Sequence, residues 1–343
     1  MKNKLVLFSG LLTMCLTACG SKVYGPKDYV LKTGYSSNYR ILQLTDTHIG
    51  DKDNTKLHYD FMDLTIKEAN PDFIVITGDV FTFASKGTAK DFFKWLDSYN
   101  IPWTLTFGNH DEQCWFSIDW LTGYLNALNK DRENGGSSHC FFLDRQDDNV
   151  KGNANFAINL MQGTDVFEQL IIMDSNRYNY NGYFGYDYFH QDQIDWYRSL
   201  INYTTSENGN VVVPSLMFYH IPLPEVRDAW AAAEKDKSLI LNPTGTEGQQ
   251  NEEPCNPDYN SGFYKVIEEL GSTHGMYFGH DHINNFIVKY KVDDTYSIDF
   301  GYGIKATDRV YADDSLLGGR VIVLHDDHSL SYEDYYHTYK EVM

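Results

Sequence analysis

The chain of 343 residues is short of basic side chains, with 28 Lys and Arg against 48 Asp and Glu, and its net charge is −20. A nucleic-acid-binding protein normally presents a basic face, so this charge argues against nucleic acid as a partner. Long apolar runs are also absent after residue 20, which argues against a protein that crosses a bilayer several times. Aromatic residues make up 15% of the chain, a content typical of a packed core and not of a disordered chain.

Cysteine is scarce too. The chain has 5 cysteines and none of them forms a CxxC pair, so a thiolate zinc site is not expected. In an exported protein, Cys114, Cys140 and Cys255 would allow at most one intramolecular disulfide. The sequence does not indicate which pair would form it, and three inert thiols fit the sequence equally well.

The amino terminus has the pattern of an export signal. Lys2 and Lys4 precede a short apolar stretch over residues 5–16, which is too short to span a bilayer unaided. The stretch runs into Leu16–Gly20, which resembles the lipobox of bacterial lipoproteins. In such proteins the cysteine, here Cys19, becomes the lipidated first residue of the mature chain.

Three segments are therefore expected along the chain. They are a signal peptide over 1–18, a polar tether over 19–38 and one folded domain over 39–343. The expected location is the bacterial cell envelope, with a lipid anchor at Cys19 that holds the protein to the membrane. Secretion into the medium is the alternative.

Strand-like and helical stretches alternate after the tether. The patterns predict strands over Arg40–Thr45, Asp72–Thr77 and Pro102–Phe107, separated by helices over Leu57–Ala69 and Ala89–Tyr99. This βαβαβ order predicts parallel strands joined by crossover helices. Further strands are predicted over Ala154–Leu160, Glu168–Asp174, Val211–Tyr219, Gly275–Phe278, Phe286–Tyr290, Tyr296–Phe300 and Arg320–Leu324. So many strands predict an α/β fold in which two β-sheets pack face to face and are flanked by helices.

Residue types that bind metals follow several of these strands. They occur in five motifs, Asp46-Thr47-His48, Gly78-Asp79, Gly108-Asn109-His110-Asp111, Tyr219-His220 and Gly279-His280-Asp281-His282. Because ligands gather at the carboxyl ends of strands in open α/β sheets, we expect the motifs to converge. Two metal ions would need one shared anion, and Asp79 suits that place. Imidazole and oxygen donors without a thiolate favour Mn, Zn or Fe over Mg²⁺ or Ca²⁺.

The order of these motifs, D-x-H, G-D, G-N-H-D, H and G-H-x-H, resembles that of the calcineurin-like metallophosphoesterases from about Arg40 to about Leu324. The resemblance implies two mixed β-sheets between helices and a dinuclear metal centre. Four segments resemble most the non-purple branch related to purple acid phosphatases, namely Phe218–Glu225, Asn260–Phe263, Gly279–Phe286 and Gly301–Gly303.

The resemblance also implies roles for single residues. The first metal would be held by Asp46, His48, Asp79 and His282, and the second by Asp79, Asn109, His220 and His280. His110 would face the leaving group as a catalytic residue, with Asp111 as the second catalytic residue that orients it. Purple acid phosphatases have a tyrosine ligand three residues after the bridging aspartate, where this chain has Thr82. A tyrosinate–iron site is therefore not expected, and Fe/Zn, Zn/Zn and Mn/Mn pairs stay open.

Three more residues are candidates for substrate binding. Arg177 and Tyr186 lie in an aromatic loop, where they would position a phosphate or the organic part of an ester, although packed surface is the commoner role of such a loop. Asn284 follows the last ligand pair. Specificity is expected to reside in loops over 111–140, 175–190 and 234–262.

Taken together, the residues predict an exported enzyme that hydrolyses phosphate monoesters through a dinuclear metal-bound hydroxide. A phosphodiesterase for nucleotide-type or lipid-type substrates is one alternative, and a non-catalytic lipoprotein that binds phosphate or metal is another. The complete ligand set argues against the last, because a pseudoenzyme would be expected to have lost Asp79, Asn109 or His110.

Overall fold

The computed structural model describes residues 24–51, 55–179, 185–243, 248–291 and 296–342. In chain order the strands of these residues are β1 Val30–Gly34, β2 Tyr39–Leu44, β3 Phe73–Thr77, β4 Trp103–Thr106, β5 Phe156–Gln162, β6 Asp165–Ile172, β7 Tyr178–Asn179, β8 Gly185–Tyr186, β9 Ser215–Phe218, β10 Thr273–Phe278, β11 Ile287–Lys291, β12 Ser297–Tyr302, β13 Gly318–Leu324 and β14 Leu330–Tyr336. The helices are α1 Thr55–Ala69, α2 Lys86–Asp97, α3 Ile118–Glu133, α4 Gln191–Glu207, α5 Glu225–Lys235, α6 Phe263–Leu270 and α7 Tyr339–Val342. Short 3-10 turns occupy Pro26–Tyr29, Asp111–Gln113 and Lys237–Leu239.

Two mixed sheets form the centre of the molecule. The larger has seven strands in the order β1-β5-β6-β9-β10-β12-β11, and the smaller has five in the order β14-β13-β2-β3-β4. Neighbours within β6-β9-β10-β12 and within β2-β3-β4 are parallel, whereas β11, β13 and β14 pair antiparallel. The predicted fold of two mixed sheets flanked by helices is therefore confirmed.

The larger sheet buries both of its faces. Leu216, Phe218 and Tyr277 belong to one apolar cluster with the residues of the smaller sheet. Met217 and Met276, their neighbours along β9 and β10, belong to a second cluster with α4, α5 and α6. Since successive residues of a strand point to opposite faces, one face of this sheet packs on the smaller sheet and the other on helices.

The early βαβαβ order is also confirmed, and each of its elements lies within a few residues of its predicted bounds. The stretch 111–140 differs, because it contains α3 where a loop was predicted. Ile118, Leu121 and Leu125 give that helix a buried stripe with a helical spacing, and the hydroxyl of Ser117 caps it by accepting from the amide of Trp120 at 3.2 Å.

Residues 24–38 correct the predicted tether. Here β1 pairs in parallel with β5, and Val30 lies opposite Ala157. Tyr29 and Leu31 are buried, so this segment is part of the folded domain. Residues 1–18 and Cys19 lie outside the described residues, and the signal and anchor stay predictions that mass spectrometry of the amino terminus would test. Among the described helices, none is both long and apolar enough to cross a membrane.

The three cysteines of the described chain, Cys114, Cys140 and Cys255, are all free. Burial raises the pKa of the Cys114 thiol to about 12, and Cys140 is fully buried. Of the two alternatives left open by the sequence, the structure therefore supports free thiols, of which Cys255 is the exposed one.

A buried carboxylate joins the two sheets. Glu168 on β6 is completely buried and contacts two imidazoles, the Nε2 of His274 on β10 at 2.7 Å and the Nδ1 of His328 at 2.9 Å. His328 lies in the turn between β13 and β14 of the smaller sheet. The hydrogen bond that His328 donates to Glu168 outweighs partial burial and raises the pKa of His328 above its usual value.

This contact predicts a pH-dependent stability. A pKa that is raised by folding means that Glu168 stabilises the charged imidazole; its contribution is full below the unfolded-state pKa, about 6.5, and is lost as the pH rises through the higher folded-state pKa. We expect Glu168→Gln to lower the free energy of unfolding by about 1–2 kcal/mol at about pH 5 and by less at about pH 9, as measured by urea denaturation. Glu269→Gln, which removes an exposed ion pair with Arg198, serves as the control and should change little. An equal loss at both pH values would contradict the role of His328.

Candidate metal centre

The strand ends of both sheets meet at one place. Asp46 and His48 follow β2, Asp79 follows β3, His220 follows β9, and His280 and His282 follow β10. Their donor atoms form two groups, each with all members within 4.8 Å of one another: Asp46, His48, Asp79 and His282 in the first, and Asp79, His220 and His280 in the second. The predicted convergence is confirmed, and Asp79 belongs to both groups.

The backbone turns sharply where these side chains leave the strands. Asp46, His48, Asp79 and His280 have positive φ angles of 52°, 45°, 48° and 80°. Side chains other than glycine rarely adopt this left-handed conformation, and it persists where the surrounding structure enforces it, often at functional sites. Here it directs the donor groups toward a common centre.

Two glycines allow the strand ends to approach so closely. Gly78 has a φ of +85°, and a Cβ at this position would lie 2.5 Å from Nδ1 of His220. A Cβ at Gly108 would lie 2.2 Å from Oδ1 of Asp79. A larger residue at either position would push ligands of the second group apart, which explains why glycine precedes both Asp79 and Asn109.

In the first group, the side-chain donor atoms lie unusually close to one another. The two Nε2 atoms of His48 and His282 lie 3.1 Å apart, and Nε2 of His282 lies 3.3 Å from Oδ1 of Asp46. That oxygen is buried and accepts no hydrogen bond from a protein donor. A cation at the centre would satisfy all three atoms at once.

The donor atoms of the second group also lie close to one another. Nε2 of His220 lies 3.3 Å from Oδ2 of Asp79 and 3.3 Å from the side-chain oxygen of Asn109. Nε2 of His280 is buried and has no hydrogen-bond partner. The Asn109 oxygen therefore faces the second group, as the resemblance implied.

A single oxygen of Asp79 faces both groups. Its Oδ2 lies 3.9 Å from Nε2 of His48 and 3.3 Å from Nε2 of His220. Its other oxygen, Oδ1, accepts from the backbone amide of His110 at 2.7 Å, and this bond fixes the orientation of the carboxylate. This is the arrangement required of a bridging ligand.

The outer nitrogens of the imidazoles are held by the protein. Nδ1 of His220 donates to the carbonyl of Thr77 and Nδ1 of His282 to the carbonyl of Tyr311, both at 2.8 Å. Because a carbonyl only accepts, each Nδ1 carries a proton, and Nε2 is the ring nitrogen that is left to face the centre. Nδ1 of His48 lies 2.7 Å from the hydroxyl of Thr82, so the residue at the position of the missing tyrosine orients a ligand.

The pKa values of these side chains also favour the binding of a metal ion. Burial, together with the charge of His220, lowers the pKa of His280 to about 3, and burial also lowers the pKa of His48 well below its usual value. Burial opposes the charge on Asp46, but the neighbouring His282, His220 and Lys305 outweigh it and hold its pKa well below the ordinary range. Neutral imidazoles and an ionised carboxylate are the forms that bind metal.

His220 is the exception, because it holds a proton in the absence of a cation. Burial opposes its charge, but Asp79 outweighs burial and raises the pKa of His220 to about 10. Binding of a metal would displace this proton. The donor set of carboxylate, imidazole and amide oxygen, with its orphaned buried atoms, thus fits two ions of the Mn, Zn or Fe type.

His110 lies beside the groups with a different set of contacts. Its ring lies edge-on to that of His48, with 5.2 Å between centroids, and its Nδ1 donates to the Gln113 side-chain oxygen at 2.8 Å.

The prediction that Asp111 orients His110 is wrong. The carboxylate of Asp111 is buried and accepts from the amides of Phe81 at 2.9 Å and Gly108 at 2.8 Å, because the 3-10 turn that starts after His110 brings Gln113 back to the imidazole. Asp111 instead holds the loop that carries Asn109.

The hairpin of β7 and β8 covers the second group. The ring of Tyr186, a predicted substrate contact, meets the ring of His280 edge-on at 4.3 Å. Tyr178 was missed by the sequence analysis, and its hydroxyl accepts from the amide of Asn109 at 3.0 Å. In a chain with 26 tyrosines, no motif singles out this one.

The other two predicted substrate contacts have different outcomes. Arg177 forms an ion pair with Glu112 through Nη1, and its Nε and Nη2 are buried without a hydrogen-bond partner. Asn284 is a correction, because its side chain is already engaged with a loop. Its oxygen accepts from the amides of Asn251 and Glu252, and its nitrogen donates to the carbonyl of Glu252 at 3.0 Å.

Comparison with known proteins finds a matching protein family. A family model described as calcineurin-like phosphoesterase matches residues 39–294. The chain is 26% identical over 316 residues to probable inactive purple acid phosphatase 14 of Arabidopsis thaliana, covering 82% of this chain and 75% of that protein. It is 26% identical over 329 residues to probable inactive purple acid phosphatase 29 of the same plant, covering 86% and 79%.

One solved structure shows a looser likeness. A dimetal phosphatase from Danio rerio has 12% sequence identity and a TM-score of 0.48, and the match covers 84% of this chain and 96% of that one.

The shared carboxylate gives a test of the centre. Asp79→Asn removes the negative charge between two cations, which then repel each other across about 3.5–4 Å. We expect well below two metal ions per chain in this variant after loading with Mn²⁺ or Zn²⁺, as measured by elemental analysis. Asp299→Asn, at a buried carboxylate bonded to Tyr332, is the control and should load like the wild type. Full occupancy in Asp79→Asn would contradict the bridging role.

Proposed function

Since the chain belongs to the calcineurin-like phosphoesterase family, we propose that it is an active hydrolase of phosphate monoesters that works at the bacterial cell envelope. The observation that supports this proposal is the complete set of donors around Asp79, with one oxygen of that carboxylate between both groups. The Arabidopsis relatives are named inactive, which is a statement about those proteins. Here the carboxylates, imidazoles and the amide of Asn109 that the chemistry needs are all present and converge.

The residues that would hold the metal ions are Asp46, His48, Asp79, Asn109, His220, His280 and His282. Bound there, such ions would act as Lewis acids that lower the pKa of a water molecule and offset charge on the phosphate. The protein keeps these donors buried and oriented, so little rearrangement is needed as the reaction proceeds.

His110 is proposed as the general acid. Gln113 accepts from its Nδ1, so Nε2 is the atom left to face a substrate. His110 follows Asn109 directly, and its backbone amide is bonded to Asp79, so its ring is fixed next to both groups. A protonated Nε2 would donate to the leaving oxygen as the bond to phosphorus breaks.

Arg177 is proposed to bind the phosphate. Glu112 contacts only its Nη1, and the side of the guanidinium formed by Nε and Nη2 has no partner although it is buried. Two N–H groups on one side of a guanidinium match two oxygens of a phosphate. Glu112 lies two residues after His110, and its ion pair draws the guanidinium toward the loop of the proposed general acid.

The function is tested with p-nitrophenyl phosphate and the matching diester, bis(p-nitrophenyl) phosphate, with and without added Mn²⁺ or Zn²⁺. We expect metal-dependent turnover of the monoester and much slower turnover of the diester. Preference for the diester would show a phosphodiesterase instead. Absence of turnover of both by a fully loaded protein would contradict an enzymatic function and favour a binding protein.

The role of His110 predicts a separation of metal binding from turnover. His110→Ala should keep its metal content while kcat falls by about 10²–10⁴-fold, and the loss should be larger for alkyl than for aryl phosphates, because acidic phenols leave without a proton. Asn109→Ala, the matched change at the preceding residue, should lower the metal content instead. Equal losses for both kinds of leaving group, or loss of metal from His110→Ala, would contradict the assignment.

A further inference from the structure

An aromatic cleft opens beside the second ligand group. It has a volume of about 430 Å³ and is lined by Asn179, Gly185, Tyr186, Tyr188, Asp258 and Tyr259. Tyr186 belongs to both the cleft and the surroundings of the second ligand group, because it lines the cleft and its ring also meets His280 edge-on. A phosphate ester at the metal centre therefore has a cavity of ligand-binding size next to it.

The tyrosines of the cleft are not explained by packing of the core. Tyr259 is 59% exposed although it is a large aromatic residue. Its ring lies 4.5 Å from that of Tyr188, and Tyr188 stacks in turn on His190 at 4.5 Å with an interplanar angle of 11°. In this wall, Tyr259 is therefore tilted at 49° against Tyr188, which itself stacks on His190.

The charge of the cleft is negative. Among the described residues that line it, Asp258 is the one charged residue, and none of them is Lys, Arg or His. The nearby carboxylate of Asp187 is already paired, with Lys151 at 2.8 Å and with His190 at 3.0 Å. The whole chain adds to this field with its net charge of −20.

We propose that this cleft binds the organic part of the substrate and selects a cationic group, such as a quaternary ammonium. The faces of tyrosine rings attract cations, and a carboxylate beside them adds a formal charge. An anionic organic part would be repelled by Asp258. The proposal rests on the proposed function and narrows its substrates to phosphate monoesters of cationic alcohols.

The test compares two substrates of the same shape. Phosphocholine carries a quaternary ammonium, and 3,3-dimethylbutyl phosphate has a neutral carbon in its place. For the metal-loaded protein we expect kcat/KM to favour phosphocholine by about tenfold or more. Tyr259→Ala and Asp258→Asn should each remove most of this preference, mainly by raising KM for phosphocholine, without a change in metal content. Tyr203→Ala, at a tyrosine of α4 that lines a different cavity, is the control and should keep the preference.

A binding measurement separates this proposal from the proposed function. Choline and 3,3-dimethyl-1-butanol are titrated into the metal-loaded protein by calorimetry, which requires no turnover. Tighter binding of choline that is lost in Tyr259→Ala would support the cleft even if no ester were hydrolysed. The proposal is overturned if the neutral compounds bind and react as well as the cationic ones, or if both variants keep the wild-type preference.

Discussion

The structure depends on one buried carboxylate oxygen that is shared by two groups of donors. Imidazoles and carboxylates are packed at the ends of two sheets, where burial penalises every charge. Oδ2 of Asp79 is the negative atom between the two groups, and the amide of His110 holds the other oxygen. Strand ends that bring the donors this close need left-handed turns, and they need glycine where a Cβ would collide. The local strain at Asp46 and Asp79 and the requirement for Gly78 thus have one cause.

A second layer of contacts gives this centre its chemistry. Backbone carbonyls and the Thr82 hydroxyl fix the outer nitrogens of His48, His220 and His282, so that the inner nitrogens are available as donors. Gln113 fixes His110 in a comparable way but outside the ligand groups. Adjacent residues of one loop, Asn109 and His110, are thereby suited to different tasks, one as a donor to the second group and the other as an acid.

The sequence was sufficient for the fold and for the convergence of the donor side chains because both leave local signals. Each donor follows an apolar strand in a short motif, and parallel strands bring their carboxyl ends to one edge. The predictions that were wrong concern contacts that are determined only when the chain is folded. Asp111 is next to His110 in sequence, but a 3-10 turn brings Gln113 to the imidazole and buries Asp111 against backbone amides. In the same way, the polar composition of residues 19–38 predicts a tether, because composition does not reveal that β5 offers the short stretch β1 an edge to pair with.

The most direct test of this account is electron paramagnetic resonance of the protein loaded with two equivalents of Mn²⁺. Two ions that share an oxygen of Asp79 are close enough for their spins to couple through it. The account predicts an exchange-coupled spectrum in the wild type that is replaced by the spectrum of isolated ions in Asp79→Asn. A wild-type spectrum that is the sum of two independent Mn²⁺ sites would contradict a centre built on one shared carboxylate.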